Sequence, residues 1–416
     1  MIELEQLAHE PKNSAVIKVI GVGGAGGNTV NSIIESGYQG IECIVANTDA
    51  QALDLSHAKT KIQIGVKSTK GLGTGTNPDI GQRAAEEDID KVLEAIGDAD
   101  IVFVVAGMGG GTGSGAAPVI AKALREKNIL SIAVVTKPFI FEGKRRASVA
   151  EKAIEELKKE VDTLIIIPNQ KLLDVVDKQV SMIDAFAMIN NVVGQSMRGI
   201  SDIITRPGHI NVDFADVRTI MKDRGLAVMG TGRARGPERA LEAAVQAISS
   251  PLLENMSIQG AHGVLLNISG GSSLGIHEIS EAASIIYEQA HENANIILGS
   301  VIDDSLGDEV VVTIIATGFY PQEVKGATKT TEQEYMLSSV HKSVQPRHVE
   351  QILDTVLDSA KKEIELVAKK QVQNAASLAK ETTQELLNVD LAHLQQDDLD
   401  VPTFLRQRAI EAKENE

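Results

Sequence analysis

The chain has 416 residues, 43% of them hydrophobic and 23% charged, with a formal net charge of −17 at pH 7. That length predicts about two to three domains, and the composition fits an ordinary soluble globular protein. The acidic balance, the absence of tryptophan and only 3% aromatics argue against non-specific binding to nucleic acid or anionic lipid and against base-stacking platforms. Cys43 is the only cysteine, which excludes an intrachain disulfide and a cysteine-rich metal site. The start, "MIELEQLAHEPKNS", has no apolar core of a secretory signal. Runs such as "TLIIIP" and "EVVVTIIAT" fall well short of the roughly 20 residues of a membrane span. A cytoplasmic protein is expected, with no nucleic-acid partner and no direct membrane insertion.

In chain order, the first half alternates short β-branched runs with helical patterns. "AVIKVIGVG", "IECIVANT", "KIQIGV", "IVFVVAG", "SIAVVT" and "TLIIIP" predict strands, and "DIGQRAAEEDIDKVLEAI" predicts a helix with Ile89, Val92, Leu93 and Ile96 on one side. Continuous apolar strands between amphipathic helices predict a parallel sheet covered on both faces. A long helix is predicted over 181–205, with Met182, Ile183, Phe186, Ile189, Val192, Val193, Ser196, Ile200 and Ile203 as its apolar stripe; "RPGH" ends it. Residues 209–318 predict a second α/β segment with strands at "LAVMGTG", "VLLNISG", "NIILGSVI" and "VVVTIIATG", and "ISGGSSLG" reads as a surface loop. Residues 319–397 are polar and read as a linker, although Val349, Ile352, Leu353, Val356, Leu357, Ala360, Ile364, Val367 and Ala368 recur at helical spacing.

Two glycine-rich stretches each follow a strand and precede a helix. "VIGVGGAGGNTV" contains Gly21-x-Gly23-x-x-Gly26, and Asp49 follows the next strand; alone, this pattern suggests an NAD-dependent oxidoreductase. The second stretch, "GMGGGTGSGAA", shifts the balance, because two such turns can converge on one polyphosphate. Glycines admit the backbone closely, and helix N-termini supply partial positive charge; Thr112 and Ser114 add hydroxyls. Neither stretch reads as a lysine-bearing P-loop.

"GGGTGSG" at 109–115 resembles the signature of the tubulin/FtsZ family in its bacterial cell-division form. "IKVIGVGGAGGN", "ANTDAQAL", "KGLGTGTNP", "FEGKRR", "NVDFADVRTIM" and the terminal "DVPTFLRQR" are similar to segments of that family in the same order. The resemblance implies a tubulin-like fold. In it, 1–14 is an N-terminal extension, 15–180 a Rossmann-like GTP-binding domain with a parallel sheet, and 181–208 a central connecting helix. A smaller α/β domain over 209–318 carries a catalytic acidic loop, and a linker over 319–397 precedes a partner-binding peptide over 398–410.

By the same resemblance, Gly24, Ala25, Gly26, Gly27 and Asn28 form the first phosphate and guanine contact, and Gly111, Thr112 and Gly113 hold the β- and γ-phosphates. Gly71, Leu72, Gly73 and Thr74 sense the γ-phosphate. Glu142 and Arg146 contact ribose and phosphates, in preference to the neighbouring Lys144 and Arg145. Asn169, Phe186 and Asn190 complete the GTP site: Phe186 stacks on the purine, and Asn190, one turn away, reads guanine with an amide where carboxylates also occur in the family. Asn211, Asp213 and Asp216 are the catalytic set, delivered from a neighbouring subunit, since acids beside a triphosphate in the same chain would repel it. Head-to-tail stacking of this kind does not close and makes filaments.

What the resemblance implies is a GTPase, converting GTP to GDP and phosphate, that polymerises into a division ring. Mg²⁺ is carried by the nucleotide rather than by side chains of the chain itself. Leu399, Val401, Pro402, Phe404, Leu405 and Arg406 would dock membrane-tethering and regulatory division proteins, recruiting the filament to the inner face of the membrane at mid-cell. A dehydrogenase leaves the second glycine loop and "NVDFAD" without purpose. A nucleotide-binding scaffold without hydrolysis is disfavoured by the intact acids.

Overall fold

The computed structural model describes residues 15–38, 40–174, 179–206, 208–210, 212–253 and 258–319. The N-terminal half alternates β1 (Ile17–Val22), α1 (Gly23–Glu35), β2 (Glu42–Asn47), α2 (Ala50–Asp54), β3 (Thr60–Gln63), α3 (Val66–Thr69), α4 (Pro78–Ile96), β4 (Ile101–Gly107), α5 (Thr112–Glu126), β5 (Leu130–Lys137), α6 (Lys144–Glu160), β6 (Thr163–Pro168) and α7 (Asn169–Asp174). The long helix is α8 (Met182–Thr205), followed by β7 (Gly208–Ile210), α9 (Phe214–Met221), β8 (Gly225–Arg235), α10 (Arg239–Ile248), β9 (Gly263–Gly270), α11 (Ile276–Gln289), β10 (Asn295–Ile302) and β11 (Glu309–Thr317). Every strand expected from the sequence is present; the three-residue β7 falls in the stretch read only as a helix terminator.

Among the described residues the strands form one sheet in the order β3-β2-β1-β4-β5-β6-β8-β11-β9-β10-β7. From β3 to β6 all pairings are parallel. β6 continues in parallel onto β8 through only Thr163, Leu164 and Ile165. Beyond that seam the sheet turns mixed, with β11 antiparallel to both β8 and β9.

The apolar runs are continuous because both faces are covered. In β4, Ile101, Phe103 and Val105 enter the core beneath α1 and α8, while Val102, Val104 and Ala106 enter the core beneath α4, α5 and α6. Gly26 sets how closely α1 lies on this sheet: a Cβ there would collide with the Val105 carbonyl and sit 2.9 Å from the Gly21 carbonyl carbon. A third core lies under α10 and α11.

α8 begins where the sequence places it, with the Ser181 hydroxyl accepting from the Asp184 amide at 3.1 Å. Its apolar stripe is not buried along its whole length. Ile189, Val193, Ser196, Ile200 and Ile203 are inside, but Met182 and Ile183 are 67% and 80% exposed; the first turn projects beyond the sheet it otherwise covers. "ISGGSSLG" also departs from a surface loop. Ile268–Gly270 ends β9, Leu274 is buried, and Ser273 accepts from the buried Arg239 guanidinium. The expected linker over 319–397, its helical stretch 349–368 and the peptide 398–410 lie outside the described residues beyond Phe319.

Candidate functional site

A cleft of about 640 Å³ opens at the carboxyl ends of the parallel strands. That is where α/β sheets bind ligands. α1 and α5 start there, directly after the neighbouring strands β1 and β4, and no side chain caps either N-terminus. The first-turn N–H groups and the positive ends of two helix dipoles therefore serve the cleft. Gly24 and Ala25 from one helix and Gly111, Thr112 and Gly113 from the other line it.

The second glycine stretch is held in a shape that only glycine tolerates. Gly109 has φ +98°, and a Cβ on it would lie 2.8 Å from the Arg146 carbonyl oxygen. Ser114 does not face the ligand space, contrary to expectation: its hydroxyl accepts from the Gly109 amide at 2.9 Å inside the loop. Thr112 is the hydroxyl presented. It lies 2.8 Å from Thr48 Oγ1 and 3.4 Å from Thr74 Oγ1, so three threonines from separate elements meet at this end.

Leu72, Gly73 and Thr74 of the expected γ-phosphate loop line the cleft, and Leu72 is 86% exposed at its rim. Gly71 stands behind, where its carbonyl accepts from the Ala50 amide. Gly26 and Gly27 also stand back from the cleft, Gly26 against β4 and Gly27 facing Val45. Asn28 lines it.

Among the lining residues described, Arg146 is the one Lys or Arg. It pairs with Glu142, whose second oxygen accepts from the Phe139 amide at 2.9 Å. Lys144 and Arg145 are exposed and do not line the cleft. Backbone dipoles thus supply most of the positive potential for an anion. Asp49 also reaches the cleft, but its carboxylate caps α2, accepting from Gln51 and Ala52.

At the other end of the cleft, Phe186, Ile189 and Asn190 of α8 face Asn28 and Thr29 of α1 and Asn169 at the start of α7. Phe186 packs edge-on against Phe139 at 5.4 Å, which fixes its ring. Asn169 is buried, and its Oδ1 has no partner within the described protein. Buried acceptors are normally satisfied, so a ligand donor at this position fits. Thr29 stands 3.0 Å from Asn190 Oδ1.

Asp213 and Asp216 are not in the cleft. Both are exposed at the start of α9, where Asp213 caps the helix by accepting from the Asp216 amide at 2.9 Å. Along the same helix Arg218 reaches Asn128, just ahead of β5, and the Met221 carbonyl accepts from Thr163 at the start of β6. α9 therefore lies at the amino ends of the parallel strands, and the glycine loops lie at their carboxyl ends. Asn211 and the tail residues Leu399, Val401, Pro402, Phe404, Leu405 and Arg406 fall outside the described residues.

The sequence assigned no role to Asn47, Thr48, Thr29 or Thr136, all of which line or support the cleft. "ANTD" following a predicted strand was the available signal, but its neighbourhood depends on β2 lying beside β1.

A family model described as the GTPase domain of the Tubulin/FtsZ family matches residues 16–177, and one for the C-terminal domain of the FtsZ family matches 225–320. Among solved structures, an empty FtsZ dimer from M. jannaschii is 42% identical with a TM-score of 0.71, covering 74% of this chain and 89% of that one. A point mutant of M. jannaschii FtsZ gives 42% and 0.71, covering 74% and 92%. CetZ2 from Haloferax volcanii, a GTPγS-bound protofilament, shares the fold at 21% identity and a TM-score of 0.64, covering 74% and 94%. Two successive family matches, 42% identity over most of the chain, and two glycine loops meeting at one cleft converge: this chain belongs to the FtsZ family of tubulin-like, filament-forming GTPases of cell division.

Proposed function

We infer that GTP lies along the cleft with its phosphates between the starts of α1 and α5 and its base between Phe186 and the two amides Asn169 and Asn190, and that hydrolysis needs a second subunit. The observation that carries this reading is the placement of Asp213 and Asp216 at the opposite end of the parallel sheet from the glycine loops. Stacked head to tail, the acidic end of one subunit meets the γ-phosphate end of the next. Asp213 and Asp216, with Asn211, then orient a water for in-line attack, and the γ-phosphoryl group leaves as inorganic phosphate. Positioning and electrostatics carry such a transfer.

The donor set fits a nucleotide carrying Mg²⁺: unsatisfied helix N–H groups for phosphate oxygens, the hydroxyls of Thr48, Thr74 and Thr112, and one arginine. The ion would supply neutralisation of phosphate charge when bound. Thr112 holds the β- and γ-phosphates with Gly111 and Gly113, Leu72 to Thr74 report the γ-phosphate, and Arg146, oriented by Glu142, contacts ribose and phosphate.

In this reading 15–180 is the GTP-binding domain, 181–208 its connecting helix, 209–318 the domain that bears the acids, and 398–410 the peptide that recruits membrane tethers at mid-cell. The test is GTP turnover per subunit across a dilution series, with an Asp216→Ala variant beside the wild type. Turnover should rise only above a threshold concentration. The variant should bind GTP normally and hydrolyse it at least about 100-fold more slowly. Turnover per subunit that stays flat to high dilution would mean that one chain completes the site.

A further inference from the structure

In the placement inferred above Asn190 meets the base edge with an amide, and the two acids among the described lining residues are engaged elsewhere, Asp49 in capping α2 and Glu142 with Arg146. The base is therefore read without charge. A carboxylate can only accept hydrogen bonds, and so demands the N1–H and 2-amino donors of guanine. An amide has nearly the same shape in both orientations and offers an acceptor in one and a donor in the other.

Thr29 can stay bonded to the amide in either orientation. Its hydroxyl is 3.1 Å from the Ala25 carbonyl oxygen, one helical turn back, and 3.0 Å from Asn190 Oδ1. It has one proton and two acceptors in reach. If the proton goes to Asn190 Oδ1, the amide turns its NH₂ away from Thr29. If it goes to the Ala25 carbonyl, the hydroxyl oxygen accepts from the Asn190 NH₂, and the amide turns its oxygen away instead. Both arrangements keep the pair hydrogen-bonded.

We propose that the Thr29–Asn190 pair is a two-way reader of the purine C2 substituent, so that this chain takes xanthosine as well as guanosine nucleotides. Guanine, with N1–H and a 2-amino group, selects the orientation that presents Oδ1. Xanthine keeps the N1–H but carries a 2-oxo acceptor, and selects the orientation that presents the NH₂. Asn169, a second neutral amide on the cleft, adds no carboxylate that would repel the 2-oxo group.

This inference rests on the placement of the base at Asn190 given above. The experiment is displacement of fluorescently labelled GDP from the full chain by GDP, XDP and ADP, using diphosphates below the polymerisation threshold so that no hydrolysis intervenes. XDP should compete within about tenfold of GDP, the range set by one neutral hydrogen bond more or less. Asn190→Asp should keep GDP and weaken XDP by about 30-fold or more, because a carboxylate then faces an oxygen it cannot bond. Thr29→Val should weaken GDP and XDP alike, by about fivefold, since the hydroxyl serves both orientations.

Wild type that rejects XDP as strongly as Asn190→Asp does would overturn the two-way reader. So would a Thr29→Val variant whose GDP-to-XDP ratio shifts more than about tenfold, because the hydroxyl would then serve one orientation only. If ADP competes as well as GDP in wild type, the base is not read at Asn190 at all, and the placement itself fails along with the inference.

Discussion

The two ends of the parallel sheet are built from the same strands and do opposite things with their helix termini. At the carboxyl ends, α1 begins at Gly23 and α5 at Thr112 just after Gly111, both without a capping side chain, leaving their first N–H groups for a ligand. At the amino ends, α9 begins with Asp213 as its own cap and exposes a second acid, Asp216. One end collects positive potential from backbone dipoles with a single arginine, and the other displays carboxylates. A subunit with these two ends is polar and complementary to its own copy, which is the condition for an open, head-to-tail filament.

The sharpest way to break this comparison is to damage one end and watch the other. Gly109→Val puts a β-branched side chain at φ +98° and against the Arg146 backbone. GTP binding should fall about 100-fold or more, since the second loop cannot keep its N–H groups aimed, while circular dichroism should still report the folded sheet. Asp213→Asn works on the opposite end. Asparagine caps a helix as well as aspartate, so the melting temperature and GTP affinity should hold, while turnover in filaments should drop about tenfold or more with the lost charge. If Asp213→Asn weakens nucleotide binding as much as turnover, the two ends are not separate parts.

A third variant lies at neither end. Arg239 is buried at the start of α10, where it bonds Glu278, the Asp308 carbonyl and Ser273. That arginine holds the Glu278 carboxyl below the ordinary carboxylate range; burial works against it, and the Gly275 amide assists. Arg239→Met should cost about 3 kcal/mol in unfolding free energy by leaving the carboxylate unpaired, with GTP affinity unchanged. The sign with pH follows from the lowered value. The Glu278 contribution is present above the unfolded pKa of about 4.3 and is lost as pH falls through its lower folded value. The variant's stability should therefore lose less than that of the wild type over that acid range, read from chemical denaturation at several pH values.

The sequence made the glycine loops, the parallel strands and α8 legible because each is a local pattern: apolar runs, turn residues and a period. That the acids act apart from the loops is implied by the family resemblance rather than by a local pattern, and their place at the opposite end of the sheet is a matter of topology. What stayed hidden depends on neighbours distant in the chain. Thr48 matters because β2 pairs with β1, and Thr29 because α1 packs on α8 at Asn190. Ser114 looked like a ligand donor because no pattern reveals that Gly109 takes up its hydroxyl. Met182 and Ile183 continue the apolar period of α8 but run past the end of the surface it covers. Asp88, one of several acids in α4 that no local pattern singles out, is buried at a kink, where it accepts from the Gly65 amide at 2.7 Å.

The smallest expected effect tests how little of the phosphate end is carried by side-chain charge. Glu142 and Arg146 pair four residues apart across Gly143, with Arg146 about half exposed. Exposed pairs of this kind contribute roughly 0.2–1 kcal/mol. In Glu142→Gln the amide oxygen can still accept from the Phe139 amide, but the charge that steers the guanidinium is gone. GTP affinity should fall no more than about fivefold, and the fall should shrink further at high salt. A much larger loss would mean that the ion pair, not the uncapped helix starts, supplies the phosphate-binding potential, and the contrast between the two ends would have to be redrawn around Arg146.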